Sequence, residues 1–207
     1  MESKAPSHEA RFVALVERVR ACRACPRMEG RQRVLGAGNG SLDAAVLFVA
    51  EAPGRLGADR SGIPFTGDQS GRNFDMLLRA AGLERRDVFV TNAVLCNPRD
   101  TQGRNARPTV GEVRNCAMHL RETLELIQAR YVVALGQVAL DALRAVAAHD
   151  VILARDVRQR LPWNGRWLVP LYHPSPRAQL HRPLPLQLED WRSLGEMIHL
   201  DDGMRGV

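Results

Sequence analysis

Four short apolar runs with helical stretches between them constrain this chain more than any other feature. They occupy residues 44–50 (AAVLFVA), 87–95 (DVFVTNAVL), 131–135 (YVVAL) and 167–172 (WLVPLY). Each is nearly continuous rather than alternating and contains β-branched residues, as expected of strands covered on both faces. Between the first two, Phe74, Met76, Leu77, Leu78 and Ala81 recur at helical spacing up to Gly82. Thr109 and Glu112 form a capping box that opens a helix reaching residue 129, and residues 137–148 make another. Phe12, Val13, Leu15, Val16 and Val19 give a first helix ending at the first cysteines, and residues 186–200 give a closing one. This alternation predicts an α/β fold of three layers, α/β/α, around a central, mostly parallel four-stranded sheet. Residues 1–10 read as a flexible tail and 11–207 as a single domain, because 207 residues that are 45% hydrophobic suffice for one sizeable core.

Sheets of this kind bind ligands outside the carboxyl ends of their strands. The polar clusters fall there: Glu51-Ala52-Pro53-Gly54 after the first run, Asn92 near the end of the second, His173-Pro174-Ser175-Pro176 after the last. Three distant segments can therefore meet in one crevice.

The net charge of +6 suits a polyanion, and nucleic acid is the leading candidate. Lys4 is the only lysine, so nearly all the cationic charge is arginine, which stays protonated and offers a planar fork to phosphate. Schiff-base chemistry needs an amine that can lose its proton, and the chain has none outside the tail. No secretory signal or membrane-spanning run is present, so an intracellular, cytoplasmic location is expected.

In a reducing compartment four cysteines suit thiolate ligation better than disulfides. Cys22 and Cys25 form a CxxC pair, while Cys96 and Cys116 come from a loop and the helix after it. Four thiolates satisfy zinc or an iron-sulfur centre, and the spread of the second pair leans toward a cubane cluster. Such a cage ties the N-terminal helix to residues 96–108, an aperiodic stretch holding Arg99, Arg104 and Arg107.

These residues carry a likeness. The cysteine arrangement, Glu51-Ala-Pro-Gly54, Gly62-Ile-Pro-Phe65-Thr-Gly67-Asp68 with Gly71, Thr91-Asn92 and His173-Pro-Ser-Pro176 together resemble the uracil-DNA glycosylase superfamily. The first motif resembles family 4 and the second family 5, so the chain sits between the two. The resemblance implies a DNA repair enzyme that flips uracil, and other deaminated bases if its pocket is wide, out of single- or double-stranded DNA. It would hydrolyse the N-glycosidic bond, as a monomer at the nucleoid, with a 4Fe-4S cluster held by Cys22, Cys25, Cys96 and Cys116.

In that reading Phe65 stacks on the extruded ring, Asn92 reads O4 and N3-H, and Ala52 and Gly54 line the pocket. His173 donates to O2 as charge moves onto the departing base. Asp68 positions the water, with Glu51 as support or alternative base, because a carboxylate both opposes oxocarbenium charge and orders the nucleophile. Arg177, Arg99, Arg104 and Arg107, with Ser175, are candidate contacts to the DNA backbone. Without a usable lysine the enzyme is expected to be monofunctional and to leave an abasic site. A non-catalytic iron-sulfur nucleic-acid binder and an enzyme acting on free nucleosides are the rival readings.

Overall fold

The structure is a computed structural model that describes residues 6–203. Lys4 and residues 1–5 of the expected tail lie outside the described residues. Helix α1 (His8–Ala21) begins inside that expected tail, with the Ser7 hydroxyl accepting the Ala10 N–H at 3.2 Å. The strands are β1 (Val46–Ala50), β2 (Val88–Asn92), β3 (Tyr131–Leu135), β4 (Leu161–Trp163) and β5 (Arg166–Leu171). The helices after α1 are α2 (Ala58–Ser61), α3 (Gln69–Ala80), α4 (Val110–Leu126), α5 (Gln137–Val146), α6 (Leu153–Asp156) and α7 (Leu184–Gly203).

The five-stranded sheet has the order β2-β1-β3-β5-β4. Pairs β1/β2, β1/β3 and β3/β5 are parallel, with Val46 opposite both Val88 and Tyr131, while β4 runs antiparallel to β5. The expectation of four strands is therefore short by one. The extra strand has three residues with Pro162 at its centre, and it pairs on one side only, as an edge strand holding proline must.

Side chains alternate across β1 as the pleat requires. Leu47 and Val49 join a cluster with Phe12 and Leu15 of α1, Leu120 of α4 and Leu140 of α5. Val46, Phe48 and Ala50 join the opposite cluster with Phe74 and Leu77 of α3 and Trp191 and Leu194 of α7. Phe48 stacks on Trp191, with centroids 5.1 Å apart. Helices thus cover both faces, and the parallel strands end together on one rim, where their loops open. No helix among the described residues is long and apolar enough to cross a membrane.

Candidate active site

The ladder between β1 and β2 continues past the strands: the Ala93 and Val94 N–H groups donate to the carbonyls of Ala50 and Glu51, at 2.8 and 3.1 Å. Glu51 is thereby fixed beside Asn92 at the sheet's carboxyl rim. On the other side, the Gly136 N–H donates to the Leu171 carbonyl at 2.8 Å, which brings the start of α5 against the end of β5 and His173. A cavity of about 480 Å³ opens at this rim. Glu51, Ala52, Gly54, Phe65, Asp68 and Asn92 line it. His173, Ser175, Arg177 and Arg107 line it as well.

Phe65 forms the floor. Its ring stacks on Phe74 of α3 at 4.4 Å and an angle of 6°, and tilts against His173 at 5.5 Å. Its backbone has φ 52°, a left-handed conformation that costs a bulky residue energy and persists only when neighbours enforce it. Arg85 enforces it. Its guanidinium donates to the carbonyls of Pro64 and Phe65, both at 2.7 Å, pairs with Asp75 at 2.8 Å, and lies 5.0 Å over the Phe74 ring. Gly71 is bare for the same reason, since a β-carbon there would overlap the Phe65 carbonyl.

Asp68 caps α3, its Oδ1 accepting the Gly71 N–H at 2.9 Å. Its Oδ2 points at the Gly54–Gly57 turn, 2.6 Å from where a Gly54 β-carbon would sit. Glu51 differs: neither of its carboxylate oxygens has a hydrogen bond among the described residues. Burial pushes its pKa up, and the charges of Arg107 and Arg177 oppose that rise.

Asn92 is buried, and among the described residues its Nδ2 has no hydrogen-bond partner. A buried amide donor left this way costs about 1–3 kcal/mol, a cost that an acceptor on a ligand in the adjoining cavity would remove. His173 has the complementary property. Burial pushes its pKa down to about 4, so the ring is neutral near pH 7. Its Nδ1 accepts the Ser175 N–H at 3.1 Å, which assigns the remaining proton to Nε2. The cavity therefore holds one free amide donor and one neutral imidazole donor above an aromatic face.

Of the four arginines singled out, Arg107 and Arg177 border the cavity and two do not. Arg99 turns inward, pairing with buried Asp59 at 2.6 Å and donating to Asn97 at 2.7 Å. Arg104 pairs with Asp100 at 2.9 Å within its own loop. Several positioning residues carry no sequence signal beyond "polar residue in or near a loop". Besides Arg85, Asn73 of α3 donates to the Pro174 carbonyl at 2.7 Å and so holds the histidine loop. Asn97 donates to the Pro53 carbonyl at 2.6 Å, and Asn105 accepts the Arg55 N–H at 2.9 Å, so the arginine loop props the Glu51–Gly54 segment.

All four cysteines are free thiols. Cys116 is buried in the cluster beneath α1 and α4, and Cys25 and Cys96 pack against the same cluster. Burial raises Cys96 to about 11 and Cys116 to about 12, and in both cases the neighbouring thiols, Cys22 and Cys25 among them, add to the rise. The four thiols thus lie within electrostatic reach of one another. Among the described residues no three His, Cys, Asp or Glu stand close enough to hold a single metal ion. The segment is braced by Arg27, which donates to both Glu112 oxygens at 2.7 and 2.6 Å and reaches the Arg107 carbonyl at 3.3 Å.

A family model described as the uracil DNA glycosylase superfamily matches residues 37–194. A type-4 uracil-DNA glycosylase of Thermotoga maritima is 36% identical over 160 residues, 77% of this chain and 79% of that one. A type-5 uracil-DNA glycosylase of Pyrobaculum aerophilum is 37% identical over 158 residues, covering 66% and 64%. A further type-5 enzyme, from Thermus thermophilus, is 34% identical over 196 residues, covering 78% and 86%. Similarity to both types is thus of the same size.

Proposed function

The chain belongs to the uracil DNA glycosylase superfamily, and on that premise we propose that it removes uracil from DNA by flipping the nucleotide into the rim cavity and hydrolysing its N-glycosidic bond. One observation carries this reading: an aromatic face, an unpartnered amide donor, a neutral imidazole donor and two carboxylates, from separate segments, line a single cavity.

A base stacked in a duplex cannot be reached, so it must be extruded. Phe65, held from below by Phe74 and Arg85, presents a flat surface for the ring. Asn92 Nδ2 donates to O4, where cytosine would offer an amino group instead and leave two donors facing each other. His173 Nε2–H donates to O2, where negative charge gathers as the bond to the sugar lengthens. A neutral imidazole suffices for that task, and its low pKa keeps it neutral.

The sugar becomes oxocarbenium-like, so a nearby carboxylate stabilises it and orders a water. Glu51 has both oxygens available for this. Asp68 keeps only Oδ2, its Oδ1 being engaged in the cap of α3. Arg107 and Arg177 border the cavity and would contact backbone phosphates beside the extruded nucleotide. The sequence has one lysine, Lys4, three residues from its first residue, and Schiff-base chemistry needs such an amine, so we infer a monofunctional enzyme that leaves the strand intact. One chain supplies every group named, which is consistent with action as a monomer, and its substrate would place it at the nucleoid.

The free thiols of Cys22, Cys25, Cys96 and Cys116, within electrostatic reach of one another, have the chemistry of the donor set of a 4Fe-4S cluster. When bound, the group would cross-link α1, the arginine loop and α4.

Release of uracil from a duplex by Glu51→Gln and Asp68→Asn tests the carboxylate assignment. If one charge at about 4 Å and an effective dielectric near 20 is at stake, the loss is about a thousandfold in whichever variant removes the water-ordering group. Wild-type rates in both variants would end the proposal.

A further inference from the structure

A second cavity, of about 600 Å³, lies away from the base pocket. Arg20 at the end of α1, together with Arg31 and Arg33, supplies its charge, and Gly30, Gly36 and Gly62 are among its walls. No carboxylate lines it. Among the described residues none of these three arginines forms an ion pair, although Arg27, Arg85, Arg99 and Arg182 all do.

Arg33 is held in place, its two terminal nitrogens donating to the carbonyls of Arg31 and Cys22 at 2.7 and 2.9 Å. The Nε atoms of Arg31 and Arg33 are shut away from solvent and have no partner. A guanidinium cannot shed its proton to relieve this. Three like charges around one partly desolvated space repel each other, and unpaired buried donors add a further cost. An anion in the cavity offsets the repulsion. Planar guanidinium forks match the oxygens of a phosphate group.

We propose that this cavity is a second phosphate-binding site, with Arg20 and Arg31 touching the anion and Arg33 as a fixed positive charge behind them. Gly62 in its wall lies three residues before Phe65, and the Gln32 N–H in the same wall donates to Asp59 of α2 at 3.1 Å. The site therefore flanks the segment that carries the floor of the base pocket. A backbone phosphate of the bound DNA, displaced along the strand from the flipped nucleotide, is one source of the anion, and that assignment rests on the DNA reading above. A free phosphate ester is the other source.

The test compares wild type with the double variant Arg20→Gln/Arg31→Gln in DNA binding over a range of salt concentrations. If DNA supplies the phosphate, the slope of log Kd against log salt becomes shallower by about 0.9 for each phosphate that is no longer neutralised, and Arg31→Lys keeps most of the slope because the charge remains. In a second arm inorganic phosphate is titrated into wild type and variant while the arginine Nε–H resonances are followed by NMR. Wild-type shifts that the variant lacks, with an unchanged DNA slope, would support the site and identify a free phosphate ester as its ligand. An unchanged slope and no phosphate-dependent shift would overturn it. Should the double variant not fold, Arg20→Gln alone, at an exposed helix position, carries both arms with a smaller expected change. Uracil release by the wild-type protein is measured separately: its absence would sink the glycosylase reading and leave the phosphate site standing.

Discussion

The two ends of the parallel strands treat polar groups in opposite ways. At the amino end, Tyr131, Arg130, Arg160 and Asp201 form a paired set in which, among the described residues, Arg130 Nη1 alone is a buried atom without a partner. Tyr131 Oη donates to Asp201, Arg130 pairs with the same carboxylate at 2.6 Å and Arg160 at 3.0 Å. The tyrosine bond and the two arginines hold Asp201 well below the usual carboxylate range, and burial together with that acid raises Tyr131. At the carboxyl end, among the described residues, Asn92 Nδ2 has no partner and Glu51 has neither oxygen bonded, and Phe65 sits in a backbone conformation it would not choose. Paired polar groups hold a fold together, whereas polar groups left unpaired beside a cavity are available to a ligand that enters it.

That contrast can be broken most directly at His173. Its replacement by alanine should slow uracil release about 100-fold to 1000-fold, the usual cost of losing one donor to a developing oxyanion. The melting temperature near pH 7 should change little, and a rate close to wild type would remove the distinction between the two ends. The same variant has a stability signature. Folded His173 titrates at about 4 and an unfolded histidine near 6.5, so between those values the unfolded chain binds the extra proton. Stability is therefore lost as pH falls from 6.5 toward 4, and thermal melts of the alanine variant should show a shallower loss over that window.

A smaller effect sharpens the contrast at Glu51. Its carboxylate must be ionised to act, and Arg107 and Arg177 restrain the rise that burial imposes. Arg177→Gln should move the acid limb of the kcat/KM profile to higher pH, and a limb that stays put would show that another group sets it. The smallest effect on catalysis belongs to the paired end. Asp201→Asn should lower the melting temperature, since two arginines lose their shared partner, while single-turnover release is unchanged. Loss of release without loss of stability would mean that the two ends are coupled.

The sheet was legible because strands covered on both faces leave continuous apolar runs, and the rim could be located because polar motifs follow those runs. β4 escaped because three residues around Pro162, paired on one edge, leave no such run. The cavity lining was legible at Glu51, Asn92 and His173, which follow strand ends, and at Phe65 and Asp68, in the glycine-rich motif that leads into α3. The site was illegible where the role depends on a partner distant in sequence. Arg99 reads as a free cation until Asp59 is seen beside it, and Arg85 reads as a surface residue until it is seen beneath Pro64 and Phe65. Arg104 could have been read otherwise, since Asp100 stands four residues before it.

The bare position at Gly71 reaches beyond its own turn of helix. Because hydrogen alone fits between α3 and the backbone of residue 65, the height of the platform under an extruded base is set by main chain, not by which ring occupies it. Directed evolution toward larger damaged bases would then have to widen the walls, through residues such as Asn92 or Ala52, while the platform stays at a constant level.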